Sequence, residues 1–109
     1  MFEIDKIQLI VPAGKIDWLF TDKGEWVKSM GYELNNLFID KLCKEIKQAY
    51  FYGKYIIQSH NNYGVKININ VDLNGINDKS GKVYKLISSF TVFPNGKIKC
   101  NTLIGGWQK

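Results

Sequence analysis

The stretch from Tyr63 to Leu73, YGVKININVDL, alternates apolar and polar residues over eleven positions without a break. Tyr63, Val65, Ile67, Ile69, Val71 and Leu73 form one row, and Gly64, Lys66, Asn68, Asn70 and Asp72 form the other. A period of two sustained over that length belongs to an amphipathic antiparallel strand with one buried face and one wet face. The rest of the chain must therefore supply neighbouring strands and a layer that covers the apolar row.

That layer is legible upstream. From Asn36 to Tyr52, the apolar residues Phe38, Leu42, Ile46, Ala49 and Tyr50 recur at helical spacing, which predicts a main helix over about 36–52 with one buried face. Asn35 or Asn36 is positioned to cap its start and Gly53 to end it, and Asp40 and Lys44 stand as an i, i+4 pair. After Gly53 the period changes to two, which predicts four strands over about 54–59, 63–73, 82–93 and 97–104, joined by HNN, NGINDKSG and PNG. Before the main helix the signals are shorter. Ile7 to Val11 is an apolar lead, Lys15 to Phe20 fits a helical turn, and Asp22 with Glu25 has the spacing of a capping box opening a short helix that ends at Gly31. Helices first and strands after predict an α+β domain: N-terminal helices packed on a four-stranded antiparallel meander. No repeat or low-complexity linker divides the chain, so residues 1–109 read as one domain.

The last turn fixes a register. In Phe93-Pro94-Asn95-Gly96-Lys97, Pro94 suits the first central position of a type I turn and Gly96 the left-handed position after it, which is a three-residue hairpin with a G1 bulge. Val92 then pairs with Ile98, Phe90 with Cys100 and Leu86 with Ile104, so apolar residues meet. A two-residue Asn-Gly turn would oppose Val92 to Lys99 and Phe90 to Asn101 and lose that match. Tyr84, Leu86, Phe90 and Val92 are placed beside the apolar row of the opening strand, with Tyr55 and Ile57 on its other side. The opposite face collects Gln58, Lys66, Asn68, Asn70, Ser89, Thr91, Lys97, Lys99 and Asn101, with His60 at its rim. Ile56, Val83, Ile87, Phe93 and Leu103 fall on it too, which predicts that the N-terminal segment or a partner covers part of it.

Composition narrows what this polar face can do. The formal net charge is +5, and all fifteen basic residues are lysine. Arginine is the residue of bidentate phosphate and guanine recognition, so its absence argues against sequence-specific reading of a duplex, while lysines remain point charges for phosphates or an acidic protein. Most aromatic residues map to the helix stripe or the inner sheet face, with only Phe93 on the open face, which argues against base stacking over the sheet centre. The two cysteines, Cys43 and Cys100, are expected to be free and packed as small hydrophobes. No apolar run is long enough for a membrane helix, and Glu3 and Asp5 sit where a signal peptide would be basic, so no leader is expected; a domain cut from a larger secreted protein would look the same, which leaves localisation open, with action in the cytoplasm the expectation. No cofactor and no metal cluster is expected.

His60 is the only histidine and the one acid/base candidate near neutral pH. It lies in the turn-rich SHNNYG, where an incidental surface role is the simpler reading. No second histidine, no acid pair with glycosidase spacing and no phosphate-binding GxxxxGK[ST] loop is present. Ser, Cys and His positions form no recognisable triad. Gly105-Gly106-Trp107 reads as a strand end followed by an aromatic clamp.

The runs YGVKININVDLNG and GKVYKLISSFTVFPNGKIKCNTLIGGW, together with VPAGKI and Gly31-Tyr32 upstream, resemble small C-terminal domains of bacterial polymorphic toxins of the contact-dependent or secreted kind. Phe90 stands where members of that group often carry tryptophan. The resemblance implies a toxin tip of the wider ribonuclease architecture in which helices precede an antiparallel sheet whose open face cuts RNA; it supplies no catalytic set of its own. Applied to the polar face, this expectation gives His60 the role of general base or acid on a ribose 2′-hydroxyl. Lys66 and Lys99 would stabilise the phosphate, and Ser89, Thr91 and Asn101 would orient it. The expected partners are RNA such as tRNA and an acidic immunity protein. Two other readings stand beside it: a non-catalytic protein-binding module of phage or mobile-element origin whose lysine-bearing face covers an acidic partner, and an assembly domain that associates through an exposed strand edge.

Overall fold

The computed structural model describes the backbone of residues 7–108 and the side chains of residues 7–103. It is an α+β fold of three helices and a five-stranded mixed sheet. In chain order these are β1 (Leu9–Ile10), α1 (Ala13–Asp22), α2 (Gly24–Ser29), α3 (Asn36–Phe51), β2 (Tyr55–Asn61), β3 (Gly64–Asn74), β4 (Val83–Val92) and β5 (Ile98–Gln108), with a 3₁₀ turn at Asn77–Lys79. The strand order is β1-β5-β4-β3-β2. Strands β2 to β5 pair antiparallel with their sequence neighbours, but the sheet does not stop at four. Leu9 and Ile10 add a fifth strand parallel to β5, opposite Ile98 and Lys99. Two residues are too few to show any period, which is why the sequence pattern leaves β1 out.

α3 forms where the apolar stripe places it, and Phe38, Leu42, Ile46 and Ala49 are its buried residues. The Asn35 side chain accepts a hydrogen bond from the Phe38 amide at 3.2 Å, satisfying one of the otherwise free amides of the first turn. Gly53 takes φ +75° just past the end, the left-handed conformation that stops a helix. The i, i+4 ion pair on this helix is Lys41–Glu45 at 3.2 Å, not the expected Asp40–Lys44. The upstream helices also depart from expectation. α1 runs for ten residues, and Asp22 is its last residue rather than the cap of a new helix. Lys23 takes the N-cap position of α2, with no side-chain capping bond, so the Asp22–Glu25 capping box does not form.

All three helices contribute to one core against one face of the sheet. Leu19, Val27, Met30, Phe38, Leu42 and Ile46 from the helices meet Ile67, Ile69, Val71, Leu73, Leu86, Phe90, Ile98, Cys100 and Leu103 from the strands. The apolar row of β3 is buried from Ile67 to Leu73 and half-buried at Val65, while Tyr63, expected in the row, precedes the strand and is exposed; the polar row, from Lys66 to Asn74, is exposed or half-buried. The N-terminal segment packs on the core side, as buried Ile7 and Leu19 show, so the expectation that it covers the polar face is corrected.

The hairpin between β4 and β5 has the bulged form. Gly96 lies at φ +88°, its amide donates to the Phe93 carbonyl at 2.9 Å, and the Phe93 amide donates to the Lys97 carbonyl at 2.9 Å. Val92 faces Ile98 and Phe90 faces Cys100. Past Phe90 the register slips: Ser89 faces Thr102, Ile87 faces Gly105 and Lys85 faces Gln108. Leu86 therefore does not face Ile104. The first slip leaves Asn101 as an extra residue, and an extra residue inverts the alternation that follows. Leu103, expected on the polar face, is consequently buried in the core. Buried Ser88 donates its hydroxyl to the Leu103 carbonyl across this irregular stretch. Trp107 and the Ile104 side chain lie outside the described side chains, and Glu3 and Asp5 outside the described residues.

Candidate functional site: the open face of the sheet

Cross-strand pairing assembles the polar face row by row, because residues paired across a sheet share a face. Ser59 pairs with Lys66, Lys66 with Thr91, Thr91 with Lys99 and Lys99 with Ile10, so one row crosses all five strands. The next row runs Ile56, Asn68, Ser89 and Thr102. Lys66 and Lys99 are exposed, while Thr91, Ser89 and Asn68 are half-buried between them. The two lysines sit two strand spacings apart, roughly 10 Å between their backbones.

Five of the six candidate site residues are brought together in this way. Lys66, Thr91 and Lys99 share a row and Ser89 lies in the row beside it. Asn101, set free by the bulge, donates from Nδ2 to Thr91 Oγ1 at 2.8 Å and fixes the threonine between the lysines. Ser89 Oγ is buried with no hydrogen-bond partner. Around these polar groups the same face exposes apolar side chains: Ile10, Ile56 and Val83.

The sixth residue is elsewhere. The β2–β3 register shifts between Ile57 and Ser59, leaving Gln58 as the extra residue. Ser59 then joins the Lys66 row, and His60 pairs with Val65, which in turn pairs with Val92. His60 is thereby placed on the helix side of the sheet, exposed near the end of β2, and not at the rim of the lysine face. Plain alternation from Ile56 would have set it on the polar side; the bulge reverses that. Ser59 and Ile10 are members of the row that sequence pattern missed, the first because nothing local marks the bulge and the second because β1 is so short.

Two cavities bordered by described residues lie away from these groups. A cavity of about 320 Å³ lies between α1 and β5, lined by Pro12, Lys15, Trp18 and Leu103 among others. Another of about 530 Å³ is lined by Ser29, Lys79, Lys82, Val83 and Tyr84. Neither touches His60, Lys66, Ser89, Thr91, Lys99 or Asn101. Among the described residues no cluster of His, Cys, Asp and Glu is arranged to hold a metal ion, and no helix is long and apolar enough to cross a membrane. Both cysteines are free. Burial holds the Cys100 thiol up at about 12, against a nearby Lys15 that pulls the other way, and burial also raises that of Cys43. Thiols held protonated are poor nucleophiles.

No family model matches the chain, and neither does any curated protein or solved structure.

Proposed function

We propose that this domain is a non-catalytic binding module whose open sheet face docks an acidic protein surface. The observation that carries the reading is the row in which exposed Lys66 and Lys99 flank Thr91 on the face opposite the hydrophobic core. Exposed Ile10, Ile56 and Val83 at the margins of that face add the apolar area that protein interfaces use. Its two central rows contain no aromatic ring on which a base would stack. His60, the sole histidine, is on the other side of the sheet, which takes the acid/base group out of the nuclease reading.

The test compares the wild-type protein with a Lys66→Glu, Lys99→Glu double variant. Polyglutamate serves as the acidic probe and total tRNA as the competing substrate. The wild type is expected to bind polyglutamate in low salt, and the double variant about five- to thirtyfold more weakly, since inverting two exposed charges is worth about 1–2 kcal/mol. Transfer RNA is expected to stay intact. Cleavage of tRNA that disappears in His60→Ala would replace this reading by the ribonuclease one, and equal polyglutamate binding by both proteins would refute it.

A further inference from the structure

Among the described residues the sheet ends at β2, whose seven residues have β3 on one flank and no strand on the other. An unpaired edge presents a row of backbone donors and acceptors to any extended chain, and proteins commonly block such edges with lysine or proline. The sequence of β2, YIIQSHN, contains neither and carries no formal charge with His60 neutral. Its one irregularity is Gln58, and on either side of it Tyr55–Ile57 and Ser59–Asn61 remain regularly paired to β3. Apolar surface is open on both faces of this edge. Ile56 is 59% exposed on the lysine side, and Ile57 is 59% exposed on the helix side, where α3 packs over β3 and leaves it uncovered.

We infer that the acidic partner engages this protein as an extended strand added to the β2 edge, with an acidic row on the lysine side and an apolar row on the helix side. The inference rests on the acidic-partner reading of the lysine face and assigns its mode of contact. Side chains of an added strand alternate between the two faces. Those on the helix side would cover Ile57. Those on the lysine side would lie next to Ser59, whose small side chain is all that separates them from Lys66 in the same row. Lys54, immediately before β2, adds a second positive charge at the end of the edge level with Asn70; Asp72 is the one acid in β3 and lies beyond that end, leaving the Ser59–Lys66 row without an acid beside it. Charge also decides against a second copy of the chain as the occupant. With no acid in Tyr55–Asn61 and a net charge of +5, the β2 strand of a second copy brings no acid to match the lysines. Backbone pairing of this type supplies affinity, and the alternate side chains supply selectivity.

The test uses the whole protein and a ten-residue peptide alternating valine and glutamate. One control replaces glutamate by lysine, and another keeps the valine–glutamate sequence but methylates alternate backbone nitrogens so that it cannot pair. The valine–glutamate peptide is expected to slow amide hydrogen exchange within residues 55–61 at least tenfold, and both controls to bind at least tenfold more weakly. The Lys66→Glu, Lys99→Glu variant is expected to lose the preference for glutamate over lysine. Equal binding of the methylated peptide with unchanged exchange in β2 would overturn strand addition and leave the acidic-partner reading intact, provided the charge-reversed variant still binds more weakly. Equal binding of the lysine peptide would overturn the acidic row. Concentration-dependent protection of residues 55–61 with no peptide present would assign the edge to a second copy instead, and protection by tRNA alone would assign it to nucleic acid.

Discussion

Ser88 and Ser89 are neighbours in β4 with opposite prospects. Ser88 points into the core, fully buried, and donates to the Leu103 carbonyl, which falls between the paired positions Thr102 and Gly105 of the irregular strand. Ser89 points to the open face, and its buried hydroxyl has no partner. In Ser88→Ala the lost hydrogen bond is worth about 1 kcal/mol, and leaving a buried carbonyl without that donor costs about another 1 kcal/mol or more. The sum, about 2 kcal/mol, corresponds to a fall in Tm on the order of 10 °C for a domain of this size. Ser89→Ala removes a polar atom that gains nothing from its burial, so its effect is expected to lie between neutral and a stabilisation of about 1 kcal/mol. Urea unfolding and calorimetry on the two single variants measure the contrast directly. Equal destabilisation by both, or a Ser88→Ala change within about 0.5 kcal/mol of zero, the range of an ordinary surface substitution, would refute the role given to Ser88 in holding the bulged β5 against β4.

Gly31 lies at φ +93° between α2 and α3, where a Cβ would run into the Ile76 carbonyl oxygen. Gly31→Ala is therefore expected to destabilise by about 2 kcal/mol or more and to loosen the Ile76 amide bond to the Met30 carbonyl, which hydrogen exchange at Ile76 would report. Stability should also fall at high pH. Burial keeps the Cys100 thiol protonated up to about 12 against an ordinary 9.0, so above about pH 9 the unfolded chain releases a proton that the folded one keeps, and unfolding is favoured as pH rises toward 12. Raised values for Tyr32 and Tyr50, again mainly from burial, act in the same direction. The urea midpoint is expected to drop across this window and Cys100→Ala to flatten part of the drop; a midpoint independent of pH would refute it.

What the sequence makes readable, and what it hides, follows from how each feature is encoded. The strand from Gly64 to Asn74 and the helix from Asn36 to Phe51 announce themselves through long, clean periods. The Val92–Ile98 and Phe90–Cys100 pairs follow from a turn whose chemistry is local to Pro94, Asn95 and Gly96. The bulges at Gln58 and around Asn101 carry no such mark, because they answer to the fit between two strands and not to either strand alone. Each of them moves chemistry. Without the first, His60 would share a face with Lys66, and without the second, Leu103 would sit among the polar residues. The candidate site was legible as a set of residue types on the right strands, and its membership was decided by two insertions in the ladder.

The pairing of β1 with β5 has a consequence for the order in which this protein can assemble. Leu9 lies opposite Ile98, almost the whole length of the chain away, whereas β2, β3 and β4 each meet a partner nearby in the chain. Closing so long a loop costs conformational entropy before any contact offsets it, and contacts of long sequence separation slow folding. During synthesis the hairpins of the meander can form as their strands emerge, but the two residues of β1 must wait for nearly the whole chain. By this entropy argument β1 is expected to be the last strand to join the sheet, and hydrogen exchange at Leu9 and Ile10 faster than in β3 and β4 would show it.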